Sequence, residues 1–161
     1  MLMSNLVRPS MRSTTRRHAM LTDGRDDDRI AELLAILPFA SPHVLLIGHD
    51  VDLATVFQRM QPHLRTTIVP WVPDLTSEVP TAVLGTLLVK DVSHLDARQQ
   101  ECLAKIADAP DVQIVSMASA PVFPLINSGV FLAELYYRLN MVTVDLSDRE
   151  SRVRERKGET T

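Results

Sequence analysis

Two short polar segments hold most of the side chains in this sequence that could do chemistry. Gly48-His49-Asp50-Val51-Asp52-Leu53-Ala54-Thr55 follows one apolar run, and Lys90-Asp91-Val92-Ser93-His94 follows another. Carboxylates and imidazoles can ligate a divalent metal, and in open α/β sheets ligands gather beyond the carboxyl ends of strands. His49, Asp50, Asp52, Asp91 and His94 are therefore the residues that would have to converge. Spacing alone does not bring them together, and solvated loop residues account for all five, so no metal site is expected. His43 and His63 lack companions that suggest a site. The single cysteine, Cys102, excludes an intramolecular disulfide framework and a thiolate zinc cluster, and it falls in a helical pattern as a buried, inert thiol. No G-x-S-x-G, H-E-x-x-H or C-x-x-C is present, so hydrolase, zinc-protease and dithiol redox readings have no starting residue.

The elements that must position these segments follow from hydrophobic periodicity. Ile30, Leu33, Leu34 and Leu37 have the i, i+3, i+4, i+7 spacing of an amphipathic helix starting at Asp28 and stopped by Pro38. His43–Gly48 is a short apolar run of the buried parallel-strand type. Leu53, Val56, Phe57 and Met60 return to helical spacing until Pro62. Thr66–Val72 is β-branched and aromatic but interrupted by Pro70, as a marginal strand would be. Residues 73–82 read as loop, and Thr86–Val89 as a second strong strand. A helix then begins at Asp96, whose side chain can cap it while Gln99 reaches back. Val112–Met117 is a third strong strand, Val130–Leu139 a helix and Met141–Val144 a last strand. Five strands alternating with helices predict an α/β, three-layer sandwich: a mainly parallel sheet with helices on both faces.

The 161-residue chain is 45 % hydrophobic, enough for one core, and its net charge of −3 predicts no general attraction to nucleic acid or anionic membrane. No run of eighteen apolar residues could span a bilayer. Residues 1–22 carry Arg8, Arg12, Arg16 and Arg17 and no acid; then Asp23, Asp26, Asp27 and Asp28 follow closely. Residues 1–27 read as a disordered basic arm and acidic turn, 28–146 as the folded domain and 147–161 as a polar tail. The arm resembles a transit peptide faintly but lacks the apolar stretch of a secretory signal, and a cytoplasmic protein is expected. Salt-sensitive phosphate contacts by the arm are weighed against a passive tail, and the tail is preferred; DNA binding is not expected.

A specific motif narrows the class. Gly129-Val130-Phe131-Leu132-Ala133-Glu134-Leu135-Tyr136-Tyr137-Arg138-Leu139-Asn140 resembles the G-x-F-R-x-D-L-Y-Y-R-L-N signature of the sigma-54 interaction domain, the AAA+ ATPase domain of bacterial sigma-54-dependent transcription activators. Gly85-Thr86-Leu87-Leu88-Val89-Lys90-Asp91-Val92 resembles that family's Walker B strand, Val44–Gly48 stands where its Walker A strand would, and Val112–Ser119 where its sensor strand would. The resemblance runs over about residues 29–146 in order, and it implies a P-loop NTPase-like fold, ATP with Mg²⁺, and ring-type packing of subunits.

The chemistry that the resemblance implies is altered at nearly every charged position. A phosphate-binding loop, G-x-x-x-x-G-K-[ST], uses glycine backbone to wrap phosphates, lysine to neutralise them and a hydroxyl to help hold Mg²⁺. Here only Gly48 and Thr55 remain; Leu53 and Ala54 stand for the glycine and lysine, and Asp50 and Asp52 place negative charge where a triphosphate would lie. Lys90 stands at the magnesium-binding Asp, Asp91 at the catalytic Glu and Ser119 at the sensor Asn. Of the two signature arginines, Leu132 replaces the first and Arg138 keeps the second, with Glu134 four residues away as an ordinary surface pair. The interval Val72–Leu84 lacks the G-A-F-T-G-A loop with which the family contacts the sigma factor. The expectation is a truncated, degenerate domain without catalytic residues or bound cofactor, acting by protein contact with a full-length activator or with itself. Direct sigma-54 remodelling is not expected. Residual ATP or metal binding with weak ATPase activity, and a functionless remnant, are the rival readings. Tyr136, Tyr137, Trp71 and Phe131 are read as packing rather than base-stacking residues.

Overall fold

A computed structural model describes residues 24–149. The basic arm, and the tail beyond Arg149, lie outside the described residues. The elements run α1 (Gly24–Ile36), β1 (Val44–Ile47), α2 (Asp50–Met60), β2 (Ile68–Trp71), β3 (Gly85–Val89), α3 (Ala97–Ala107), β4 (Val112–Ala118), α4 (Phe123–Asn127), α5 (Ala133–Leu139) and β5 (Val142–Asp145). Short 3₁₀ turns at Gln61–His63 and Val92–His94 follow α2 and β3.

All four strand pairings are parallel, and the order across the sheet is β2-β3-β4-β1-β5. β1 therefore lies deep in the sheet, and its period-2 alternation serves two cores. Leu45 and Ile47 join one cluster, with Leu103 and Ile106 of α3 and Leu135 of α5; Val44 and Leu46 join the other, with Leu33 of α1 and Val56 of α2. The layers are α1 and α2 on one face and α3, α4 and α5 on the opposite face, as the three-layer expectation requires. β2 is an edge strand, which is why Pro70 is tolerated in it.

Polar side chains fasten the irregular segments. Asp96 caps α3 by accepting from Gln99 N–H at 2.7 Å, and Gln99 Oε1 accepts from Asp96 N–H at 3.0 Å, so the predicted capping box is present. The Gln99 amide also donates to the carbonyls of Asp74 (2.8 Å) and Ser77 (2.9 Å), tying down the helix-free β2–β3 connection. Gly85 opens β3 at φ +126°, with Thr67 backbone so close that a Cβ would lie 2.4 Å from its carbonyl oxygen.

Three expectations need correction. α1 starts at Gly24 rather than Asp28, so Asp26 and Asp27 belong to its first turn, and Asp28 to the helix after it, instead of a separate acidic turn; carboxylates in the first turn favour the helix dipole. The signature segment is not helical from Val130. α4 occupies Phe123–Asn127 within the Pro- and Gly-marked connection, and α5 starts only at Ala133. The physical reason is Gln100: its Oε1 accepts from Leu132 N–H at 2.7 Å and its Nε2 donates to the Val130 carbonyl at 2.9 Å, replacing helical bonds across that stretch. Cys102 is half-buried rather than buried, on the flank of the α3-side core.

Candidate functional site

The carboxyl ends of β3 and β4 open into a cleft of about 890 Å³ walled on one side by α2. Its lining is mainly apolar, with Phe57, Val72, Leu88 and Met117 as the larger groups. Around them stand Asp50, Thr55, Gln58 and Gln61 from α2 and the residues just beyond it, Lys90 and Asp91 after β3, and Ser119 after β4. Of the residues singled out in the sequence, Thr55, Asp91 and Ser119 meet at this cleft. Gly48 lies at the end of β1, and Arg138 lies elsewhere.

The local structure at the end of β1 decides what the site can do. α2 begins at Asp50, so only Gly48 and His49 separate strand from helix. The Leu53 N–H donates to the His49 carbonyl at 2.9 Å, and the Thr55 hydroxyl donates to the Val51 carbonyl at 2.9 Å, a back-bond within the helix. An amide and a hydroxyl that a phosphate loop would direct at its ligand are thus engaged by the helix itself. Asp50 and Asp52 occupy the first turn, where negative charge complements the positive end of the helix dipole, as an anion does at a phosphate-binding N-terminus. Gly48 has a packing reason of its own: at φ +153° a Cβ would come within 3.1 Å of Leu146 Cβ.

At the end of β3, Lys90 is exposed and its N–H donates to the Trp71 carbonyl at 2.9 Å. Asp91 has a left-handed backbone, φ 63°. Its carboxylate accepts from Ser93 Oγ at 2.9 Å and approaches His94 Nδ1 at 2.6 Å, closing the 3₁₀ turn on itself. Asp52 faces Arg149 at 3.6 Å. The five residues weighed as metal ligands therefore do not converge; among the described residues no group of three or more His, Cys, Asp or Glu side chains could hold a metal ion.

Arg138 lies in a different network. It pairs with Glu134 at 2.7 Å, as its spacing predicted, and with Asp108 at the end of α3 at 2.8 Å, so it clamps α5 to α3. Trp71 and Phe131 are buried and Tyr136 is half-buried against the α3-side core, as packing residues should be, but Tyr137 is 66 % exposed, edge-on to Tyr136.

Sequence reasoning missed two features. His43 bridges the sheet and α3, with Nε2 donating to the Ala107 carbonyl at 2.8 Å and Nδ1 accepting from Ile114 N–H at 2.9 Å. Burial holds its imidazole below the ordinary histidine pKa, outweighing the opposing pull of the Ala107 carbonyl. The apolar cleft wall was the other. Phe57 fits the buried stripe of α2 by spacing, yet it is only half-buried, at the cleft edge.

A family model for the sigma-54 interaction domain matches residues 44–148. This chain belongs to the sigma-54 interaction domain family, with the P-loop NTPase fold of AAA+ proteins. A search of curated protein sequences found no match. Among solved structures, NtrX from Brucella abortus in complex with ATP is similar with a TM-score of 0.61 and 14 % identity, over 82 % of this chain and 39 % of that one. The P-loop NTPase domain of a sigma-54 activator from E. coli is similar with a TM-score of 0.55 and 18 % identity, over 71 % of this chain and 94 % of that domain. The chain thus spans well under half the length of the NtrX chain it resembles. Among the described residues no helix is long and apolar enough to cross a membrane.

Proposed function

We propose that this chain is a non-catalytic regulatory module of sigma-54-dependent transcription control, acting through protein contact and not through ATP hydrolysis. The observation that carries the reading is the closure of the β1–α2 loop into helix. Thr55 Oγ1 is bonded to Val51 and Leu53 N–H to His49, while Asp50 and Asp52 supply the negative charge at the helix N-terminus. A magnesium triphosphate does not fit that arrangement. Its phosphates would need free backbone amides and a lysine, and its metal a carboxylate where Lys90 stands. Asp91, at the position of the family's catalytic carboxylate, is engaged with Ser93 and His94. The partner is a full-length activator or a second copy of the chain, met through the surfaces on which AAA+ subunits pack; a cytoplasmic location follows from that role. DNA and direct sigma-54 contact are not part of it.

Two measurements test the reading together. The purified chain is expected to show no Mg²⁺-dependent ATP turnover, and turnover that disappears in an Asp91→Asn variant would establish the rival, weakly catalytic reading. Added in excess to a full-length sigma-54 activator, the chain is expected to change that activator's ATPase rate. An unchanged rate and no co-sedimentation would overturn the regulatory role.

A further inference from the structure

The turn that follows β5 folds back on the start of α2. Leu146 N–H donates to the Ile47 carbonyl at 2.7 Å, and its buried side chain lies against Gly48, where an added Cβ would come within 3.1 Å of it. Asp145 accepts from Ser147 N–H at 2.9 Å, and Arg149 N–H donates to the Leu146 carbonyl at 3.2 Å, so the backbone turns tightly there. From that turn the Arg149 side chain reaches two helices. Its Nε donates to Asp26 Oδ2 at 3.1 Å in the first turn of α1, and its Nη1 faces Asp52 Oδ1 at 3.6 Å in the first turn of α2.

The two contacts are unequal. Nε to Asp26 is within hydrogen-bonding distance, and Nη1 to Asp52 is an ion pair without that bond. Asp26 is 9 % exposed, Arg149 18 % and Asp52 33 %, so salt screens the anchor at Asp26 least. Asp26 thus fixes the guanidinium, and the guanidinium holds Asp52. α2 has use for such a hold: His49 begins it without a side-chain cap bond, so its first turn lacks the fastening that Asp96 gives α3. We infer that Leu146–Arg149 is a strap that keeps the first turn of α2 helical, and that drawing Arg149 off its carboxylates opens the β1–α2 loop. Because α1 and the turn after β5 both meet in this joint, a partner that displaces either one acts on the loop. The inference rests on the closed loop of the proposed function and names what keeps it closed.

Hydrogen exchange in the full chain tests it, read at the Leu53 and Ala54 amides of α2 against Leu103 of α3 and Val115 of β4. Asp26→Asn is the deciding variant, because Asp52→Asn would also remove a carboxylate from the dipole of α2 itself. Asp26→Asn is expected to speed exchange at Leu53 and Ala54 by about tenfold, with Leu103 and Val115 unchanged. Arg149→Gln is expected to do the same, and the double variant no more, as for two members of one network. Acceleration confined to α1 would overturn the strap and leave a fastening of α1 alone. If Asp26→Asn instead accelerates every amide, Arg149→Lys decides, because it keeps the charge but not the forked guanidinium. Acceleration in the first turn of α2 alone then supports the strap, and uniform or no acceleration overturns it. Opening the loop is not expected to create a nucleotide site, since Ala54 stands at the lysine position. Saturable, Mg²⁺-dependent ATP binding by the unmodified chain would therefore overturn closure itself, whereas unchanged exchange at Leu53 in Asp26→Asn with no ATP binding would overturn only the strap.

Discussion

α2 and α3 both follow a parallel strand, yet their first turns are built in opposite ways. α3 starts on a complete capping box, and Gln99 and Gln100, both buried, reach out to hold two neighbouring segments. α2 starts on His49 with no side-chain cap bond, and the residues that follow answer the helix dipole with carboxylates. The difference separates two kinds of constraint. Around α3 the polar side chains hold the fold together, so their replacement should cost stability. Around α2 the exposed Thr55, which stands where a nucleotide site has its hydroxyl, bonds only its own helix, so its replacement should cost almost nothing.

The largest effect expected lies on the framework side. Gly85→Ala would place a Cβ 2.4 Å from the Thr67 carbonyl oxygen at a φ of +126°, and it should destabilise the fold by several kcal/mol, on the order of the largest single-site effects. Chemical denaturation measures this, and a stability equal to the parent would show that the β2–β3 contact is looser than described. Gln100→Ala removes two donated bonds and one accepted bond made by a buried side chain, and a loss of about 2–3 kcal/mol is expected, with faster hydrogen exchange at Leu132. Asp96→Ala should cost about 1 kcal/mol by loss of the cap. Thr55→Ala, on the exposed face of α2, should change stability by less than about 0.5 kcal/mol, because its hydroxyl only back-bonds its own helix. An Asp96→Ala effect no larger than that of Thr55→Ala would break the comparison.

How much of this was legible depended on the kind of signal. The order of strands and helices, the capping box at Asp96 and the loss of the phosphate-loop lysine are all local in sequence, and each could be read directly. The long-range uses of glutamine could not. Gln100 reaches thirty-two residues to Leu132, and nothing in the composition of Val130-Phe131-Leu132 says that its backbone groups will be satisfied by a side chain rather than by a helix. The cleft had a similar difficulty: Phe57 obeys the helical stripe, and nothing in its spacing says that it lies half-buried at a cleft edge. Among the candidate site residues, Thr55, Asp91 and Ser119 were placed together through family resemblance, whereas Arg138 belongs with Asp108, a partner thirty residues away.

His43 supplies a pH test of the framework side. Its folded-state pKa is lowered by burial, so protonation favours the unfolded chain. Stability from this group is fully present above the ordinary histidine value of about 6.5 and is lost as pH falls below it toward the lowered pKa. Urea midpoints should therefore decline from pH 7 to pH 5, and the slope should flatten in a His43→Gln variant; equal slopes would show that His43 is not the group responsible.

The central claim, that the end of β1 is closed as helix to a nucleotide, is tested most directly by calorimetric titration of ATP with Mg²⁺ into the unmodified chain. The account predicts no binding heat beyond dilution. Saturable, Mg²⁺-dependent binding in the micromolar range, about −8 kcal/mol, would contradict it and restore the site as a nucleotide pocket.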